Sequence, residues 1–183
     1  MKTIRMISVF LLAGIGGCGD DTTALNDPWE AFAEGRYQDA HSLFLDLIET
    51  KPSEAYAGLG WTTLKMNADS LNAANRYFSL SSNDSLVYAF AGWALASWAS
   101  ENYMDCIKYG DFVLRKKPEF VFDYLQTLTQ KQIALAQAYS YFHLQNLSAC
   151  ISKIRIIEPS YTPVNNLDRN EIQLKLDQLR QTQ

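Results

Sequence analysis

Apolar residues recur along this chain at helical spacing from position 28 almost to its end. Ala40, Leu43, Phe44, Leu47 and Ile48 fall on one face at about 100° per residue, which predicts a helix over 37–50. Just before it, Asp27-Pro28-Trp29-Glu30 reads as a helix start: an Asp to accept free backbone N–H groups, a Pro at the first helical position and a Glu in the first turn. Gly35 ends that first helix. The same pattern predicts helices over 54–67, 70–81, 86–99, 103–116, 128–143, 146–157 and 168–181. The stretch 86–99, LVYAFAGWALASWA, is apolar all round and too short for a bilayer, so it predicts a helix buried between neighbours. Leu147, Cys150, Ile151 and Ile154 form one stripe on 146–157. The last helix opens on the capping box Asp168-x-x-Glu171 and carries the single stripe Ile172, Leu176 and Leu179, as the end of a stack requires.

The chain also repeats. Tyr56-Ala57-x-x-Gly60-Trp61 returns as Tyr88-Ala89-x-x-Gly92-Trp93. Ala40-x-x-x-Phe44 returns as Ala74-x-x-x-Phe78, and the same frame comes again as Cys106-x-x-x-Gly110. Pro52 and Pro118 stand two such periods apart, each placed to stop the second helix of a pair. A period of about 34, with small and aromatic residues at fixed places in paired helices, resembles the tetratricopeptide repeat over residues 28 to 159. The resemblance implies an all-α, TPR-like helical-hairpin solenoid of about four helix pairs plus a C-terminal capping helix. It also implies a concave groove, lined by the first helix of each pair, that holds a protein or peptide partner. Tyr56, Trp61, Tyr88, Trp93 and Trp98 fall on the first helices of the second and third pairs and form the implied partner-binding set. Aromatics there anchor a partner at low entropic cost. The chain departs from the family pattern in places. The spacings Gly60 to Ala74 and Gly92 to Cys106 are two residues longer, Gly110 stands where a large residue is usual, Glu119 to Thr127 is inserted before the fourth pair, and Pro159 comes three residues early.

The beginning of the chain has a different character. Lys2 and Arg5 precede the apolar run Met6 to Ile15, which has the length of a secretory signal's core and not of a membrane span. Ile15-Gly16-Gly17-Cys18 resembles the bacterial lipobox. That resemblance implies a signal peptide over 1–17, a lipid on Cys18, a polar tether over 18–27 and a folded body over 28–183. It places the protein in the bacterial cell envelope, and Gly19 after the cysteine, where an Asp marks inner-membrane retention, points to the outer membrane. Gly14-x-Gly16-x-x-Gly19 matches a dinucleotide-binding fingerprint by letter, but Asp20-Asp21-Thr22-Thr23 follows instead of a helix, so no nucleotide site is read there.

Composition narrows the chemistry. The 183 residues, 48% hydrophobic and 13% aromatic, can bury one core. A formal charge of −4 argues against nucleic acid as a partner. His41 and His143 lie far apart without a cysteine or carboxylate at ligand spacing, so neither a metal nor any other cofactor is expected. Cys106 and Cys150 sit at equivalent small-residue positions on second helices with another helix between them. Packed helices lie about 8–10 Å apart and a disulfide needs Cα atoms within about 7 Å, so two buried free thiols are expected. Glu30 and Glu34 read as a solvated face, and Arg115-Lys116-Lys117 as charges that complement a helix C-terminus. No clustered set of titratable residues emerges. The expected function is therefore a membrane-tethered, non-catalytic scaffold for protein–protein interaction in the envelope. The alternative is a solenoid that binds a small ligand or glycan, with polar groups converging beside Trp61 and Trp93. Replacing Cys18→Ser is expected to abolish incorporation of a labelled fatty-acid analogue in cells, and label retained by that variant refutes the lipobox.

Overall fold

The computed structural model describes residues 27–67, 70–165 and 168–182. Among them run nine α-helices: α1 (Pro28–Ala33), α2 (Tyr37–Asp46), α3 (Pro52–Met66), α4 (Leu71–Leu80), α5 (Val87–Ala99), α6 (Tyr103–Lys116), α7 (Gln130–His143), α8 (Leu147–Ile157) and α9 (Arg169–Gln181). One antiparallel ribbon, β1 (Val121–Phe122) with β2 (Leu125–Thr129), stands between α6 and α7. The fold is all-α, built of helical hairpins: α1/α2, α3/α4, α5/α6 and α7/α8. The first helices α1, α3, α5 and α7 touch one another in sequence to form a layer, and α2, α4 and α6 each bridge to the first helix of the next pair. α9 closes the far end against α7 and α8.

Three hairpins turn in the same way. Gly35, Glu101 and Gln145 take left-handed backbone, with φ of 80°, 62° and 62°. The next residue's N–H then reaches back to the helix it has just left: Arg36 to Ala31 O at 2.9 Å, Asn102 to Ser97 O at 2.8 Å, Asn146 to Tyr141 O at 2.9 Å. This is the Schellman arrangement, which satisfies carbonyls orphaned at a helix end. Between pairs, the expected extension of α2 to residue 50 does not occur. The helix ends at Asp46 and turns lead into Pro52, which opens α3 instead of closing α2. Proline's fixed φ and missing N–H suit a first helical position as well as they prevent continuation.

The pairs are held at the small and aromatic positions that the repeats announce. Ala40, Ala74, Cys106 and Cys150 are fully buried, and so are Phe44, Phe78 and Ile154 one turn later. A Cβ on Gly58 would lie 2.3 Å from the Phe44 ring, and one on Gly92 would lie 2.3 Å from that of Phe78. These are contacts only glycine permits. They recur from Gly58 to Gly92, a longer step than the one from Gly60 to Gly92 by which the Tyr-Ala-x-x-Gly-Trp motif repeats. The third pair reverses the arrangement. Gly110 takes the place of the large residue, and Gln137 of α7 fills the space, its amide 2.7 Å from where a Cβ would be. Gln137 Nε2 donates to Ile107 O at 3.0 Å and to Asp111 Oδ1 at 2.8 Å, and Lys153 Nζ donates to the same Oδ1 at 2.7 Å.

At the end, Ile172, Leu176 and Leu179 are buried as their stripe predicts. Asp168 caps α9 by accepting from Asn170 N and Glu171 N. Glu171 does not return the bond as a capping box would; its carboxylate accepts from Val164 N at 2.8 Å and Asn165 N at 3.2 Å and fastens the connecting segment. The insertion also departs from expectation. Residues 125–129 are extended and α7 begins only at Gln130, because Thr129 and Gln132 form the capping box that sets its start. Gly92→Ala is expected to cost about 1–3 kcal/mol, the usual range for an overpacked core, read as a lower midpoint in urea denaturation.

Candidate functional site: an aromatic box beneath the inserted hairpin

Three consecutive first helices send aromatic side chains to one place. Asp27 accepts from Trp29 N at 2.7 Å and so fixes the start of α1, which presents Trp29 and Phe32. Trp61 comes from α3 and Tyr88 from α5. The Trp61 indole N–H donates to the backbone carbonyl of Tyr88 at 3.0 Å, so its buried donor is satisfied and α3 is tied to α5.

A single ring from the insertion fills the centre. Phe122 stacks on Trp61 at 4.9 Å and 25° and on Tyr88 at 5.9 Å and 13°, and it meets Trp29 edge-on at 5.7 Å and 89°. Phe32 lies 6.1 Å away. Tyr124 stacks flat on Trp29 at 4.8 Å and 10° and leaves 37% of its surface exposed. Phe120 and Leu128 are buried beside them. Lys117 ends α6 and holds the root of the hairpin, with Nζ 3.3 Å from Val121 O and 5.8 Å from the centre of the Phe120 ring.

The five aromatics expected on one groove face therefore divide among four places. Trp61 and Tyr88 are walls of the box, and Trp61, at 3% exposure, is covered and not open to a partner. Tyr56 points elsewhere: it stacks with Tyr77 at 6.4 Å and 21° and, with Asn72, Arg76 and Leu80, lines a cleft of about 530 Å³. Trp93 stacks on Tyr109 of α6 at 3.8 Å, and Trp98 packs 5.9 Å from Tyr139 in the C-terminal core. The cause is the two-residue difference between motif and packing. Two residues turn a helix by about 200°, so identical motifs face nearly opposite ways. The expected set omits Trp29, Phe32, Phe122 and Tyr124. The alternation Phe120-x-Phe122-x-Tyr124 within the insertion is the signal that could have found the last two.

Acidic groups surround the mouth of the box. Burial pushes the Tyr88 hydroxyl above its ordinary pKa, with Glu54, Tyr124 and Asp84 adding to the rise. Burial also raises Tyr124, followed by the charges of Asp27, Glu54, Asp123 and Glu30. Lys51 pairs with Glu54 at 3.3 Å.

The remaining candidates have structural surroundings. Half-buried His41 has Nδ1 2.8 Å from Thr62 Oγ1, and burial lowers its pKa. His143 lies flat on Tyr103 at 4.6 Å. Among the described residues no group of three or more His, Cys, Asp or Glu side chains is arranged to hold a metal ion, and no helix is long and apolar enough to cross a membrane. Glu34 pairs with Arg36 at 2.8 Å. Arg115 and Lys116 lie in the last turn of α6. Cys106 and Cys150 are buried and free, and burial pushes each thiol up to about 12. The signal segment, Cys18 and the tether up to residue 26 lie outside the described residues.

The two thiols make stability fall with alkalinity. Each is favoured in its protonated form by the fold, so its contribution is complete below the ordinary thiol pKa of 9.0 and is lost as pH rises toward about 12. In a Cys18→Ser background, the urea midpoint is expected to drop between about pH 8 and pH 10.5, and less steeply once Cys106 and Cys150 are both changed to Ala. An equal slope in the two proteins would show that the thiols are not its source.

No protein-family model matches this chain, and no curated protein matches it.

Proposed function

We propose that this protein is a non-catalytic scaffold for protein–protein interaction, built on tetratricopeptide-like hairpins and held at a bacterial envelope membrane by a lipid on Cys18. The observation that carries this reading is the aromatic box. Trp29, Phe32, Trp61 and Tyr88, from three successive first helices, grip a non-helical segment that inserts Phe122 among them. Large flat side chains on a rigid helical layer are the means by which a surface holds polypeptide at small entropic cost. The titratable side chains support the same reading. Both buried thiols are kept protonated, and the two histidines rest against Thr62 and Tyr103. A nucleophile needs a neighbouring base and partial exposure, and neither thiol has both. Residues 19–26 span at most about 29 Å, so the tether keeps the body close to the bilayer.

A second reading, a glycan or small polar ligand, draws on the Tyr56 and Tyr77 cleft, where two stacked rings stand beside Asn72 and Arg76. The two are separated by installing a photo-crosslinking side chain at Glu30, exposed on α1 at the mouth of the box, or at Met104, which is 66% exposed on α6. In cells, the scaffold reading expects a discrete protein adduct from position 30 and none from position 104. Without an adduct at 30 that reading fails.

A further inference from the structure

The inserted hairpin has few means of its own to stay in place. Its first strand is only Val121 and Phe122, and the ladder pairs Val121 with Thr129 and Phe122 with Leu125 across an irregularity. A two-stranded ribbon of this size is marginal in water. Its place is set by side chains instead: Phe120, Phe122 and Tyr124, at every second position, with Phe122 surrounded and Tyr124 lying half open on Trp29. The walls that receive them belong to α1, α3 and α5, all earlier in the chain and separated from the hairpin by at least the whole of α6. The segment is bound to the first-helix layer as a peptide ligand would be.

It is also an imperfect ligand. Asp123 stands between Phe122 and Tyr124, beside a mouth that already holds Asp27, Glu30 and Glu54. Four carboxylates near one hydroxyl repel one another, and only Lys51, on Glu54, offsets them among the described pairs. A segment with the same aromatic alternation and a basic residue at the Asp123 place fits the box better than the chain's own.

We propose that the box formed by Trp29, Phe32, Trp61 and Tyr88 recognises an extended partner segment with aromatic residues at alternate positions and a basic residue among them, and that hairpin 121–129 occupies the box until such a segment displaces it. The proposal rests on the scaffold reading and names the partner's chemistry. The hairpin lowers the apparent affinity by the fraction of molecules in which the box is open, so the grip of the hairpin sets the threshold for binding.

The test uses the full chain with Cys18→Ser and a synthetic peptide of residues 118–130 carrying Asp123→Lys. Two of the four tryptophans, Trp29 and Trp61, line the box, so binding is read from tryptophan emission. The Phe122→Ala protein is expected to bind the peptide at least about tenfold more tightly than the unaltered protein. The protein carrying Asp123→Lys, its own hairpin now better matched, is expected to bind it more weakly. A peptide with Phe120, Phe122 and Tyr124 all changed to Ser should not bind. By native-state hydrogen exchange, amides of 121–129 in the unaltered protein should open well before those of α3 and α5. The proposal is overturned if those amides exchange only with global unfolding, if folded Phe122→Ala ignores the peptide, or if Phe122→Ala unfolds outright. Peptide binding as expected without any envelope adduct at position 30 would leave the box standing and remove the scaffold reading.

Discussion

A phenyl ring pressed against a glycine is the contact on which the stacking depends. Phe44 of α2 lies over Gly58 of α3, and Phe78 of α4 lies between Gly60 of α3 and Gly92 of α5. With no Cβ in the way, the second helix of one pair approaches the first helix of the next closely enough to bury the whole ring. That approach fixes the rotation of α3 and α5 about their own axes. Once it is fixed, Trp61 and Tyr88 have one direction to point, and the indole of Trp61 comes within hydrogen-bond distance of the Tyr88 carbonyl. The aromatic box is thus a consequence of glycines, one of which, Gly92, also leaves room for the Trp61 ring itself.

Helices were the legible part of this fold, because an amphipathic stripe is a local property. Ile172, Leu176 and Leu179 announce the buried side of α9 whatever they pack against, and Ala40 with Phe44 announces the side of α2. The buried state of Cys106 and Cys150 was legible for the same reason. Facing direction was harder to read. The Tyr-Ala-x-x-Gly-Trp motif steps from Gly60 to Gly92, while the ring-on-glycine contact steps from Gly58 to Gly92, and nothing local says which of the two governs packing. The hairpin was legible only as an insertion. Phe122 meets Phe32 across the whole length of chain from α1 to the ribbon, and such a contact leaves no periodic trace. The start of α7 was written in Thr129 and Gln132, but Leu128 continued the apolar spacing upstream and obscured it.

The insertion changes what the first-helix layer is. With an open groove, Trp29 and Trp61 would present wide apolar surfaces to water. Covered by Phe120, Phe122 and Leu128, they join α1, α3 and α5 into one core with the hairpin, while α7, α8 and α9 surround a second. The two regions meet where α5 and α6 pack against α7, and the ribbon adds a covalent join, because β2 runs directly into α7 and Thr129 caps that helix.

Arrays of like units grow and shrink by duplication and loss, and the exchange at Gly110 limits where that can happen here. Between the first and second pairs, and again between the second and third, a phenylalanine projects forward into a glycine. Between the third and fourth the projection runs backward: Gln137 reaches into the space above Gly110, and Asp111 holds both Gln137 and Lys153. A copy of the second pair placed before the fourth would set Phe78 and Gln137 in the same volume. The third and fourth pairs are therefore matched to each other, and that join, unlike the two before it, has no room for a repeat that ends in phenylalanine.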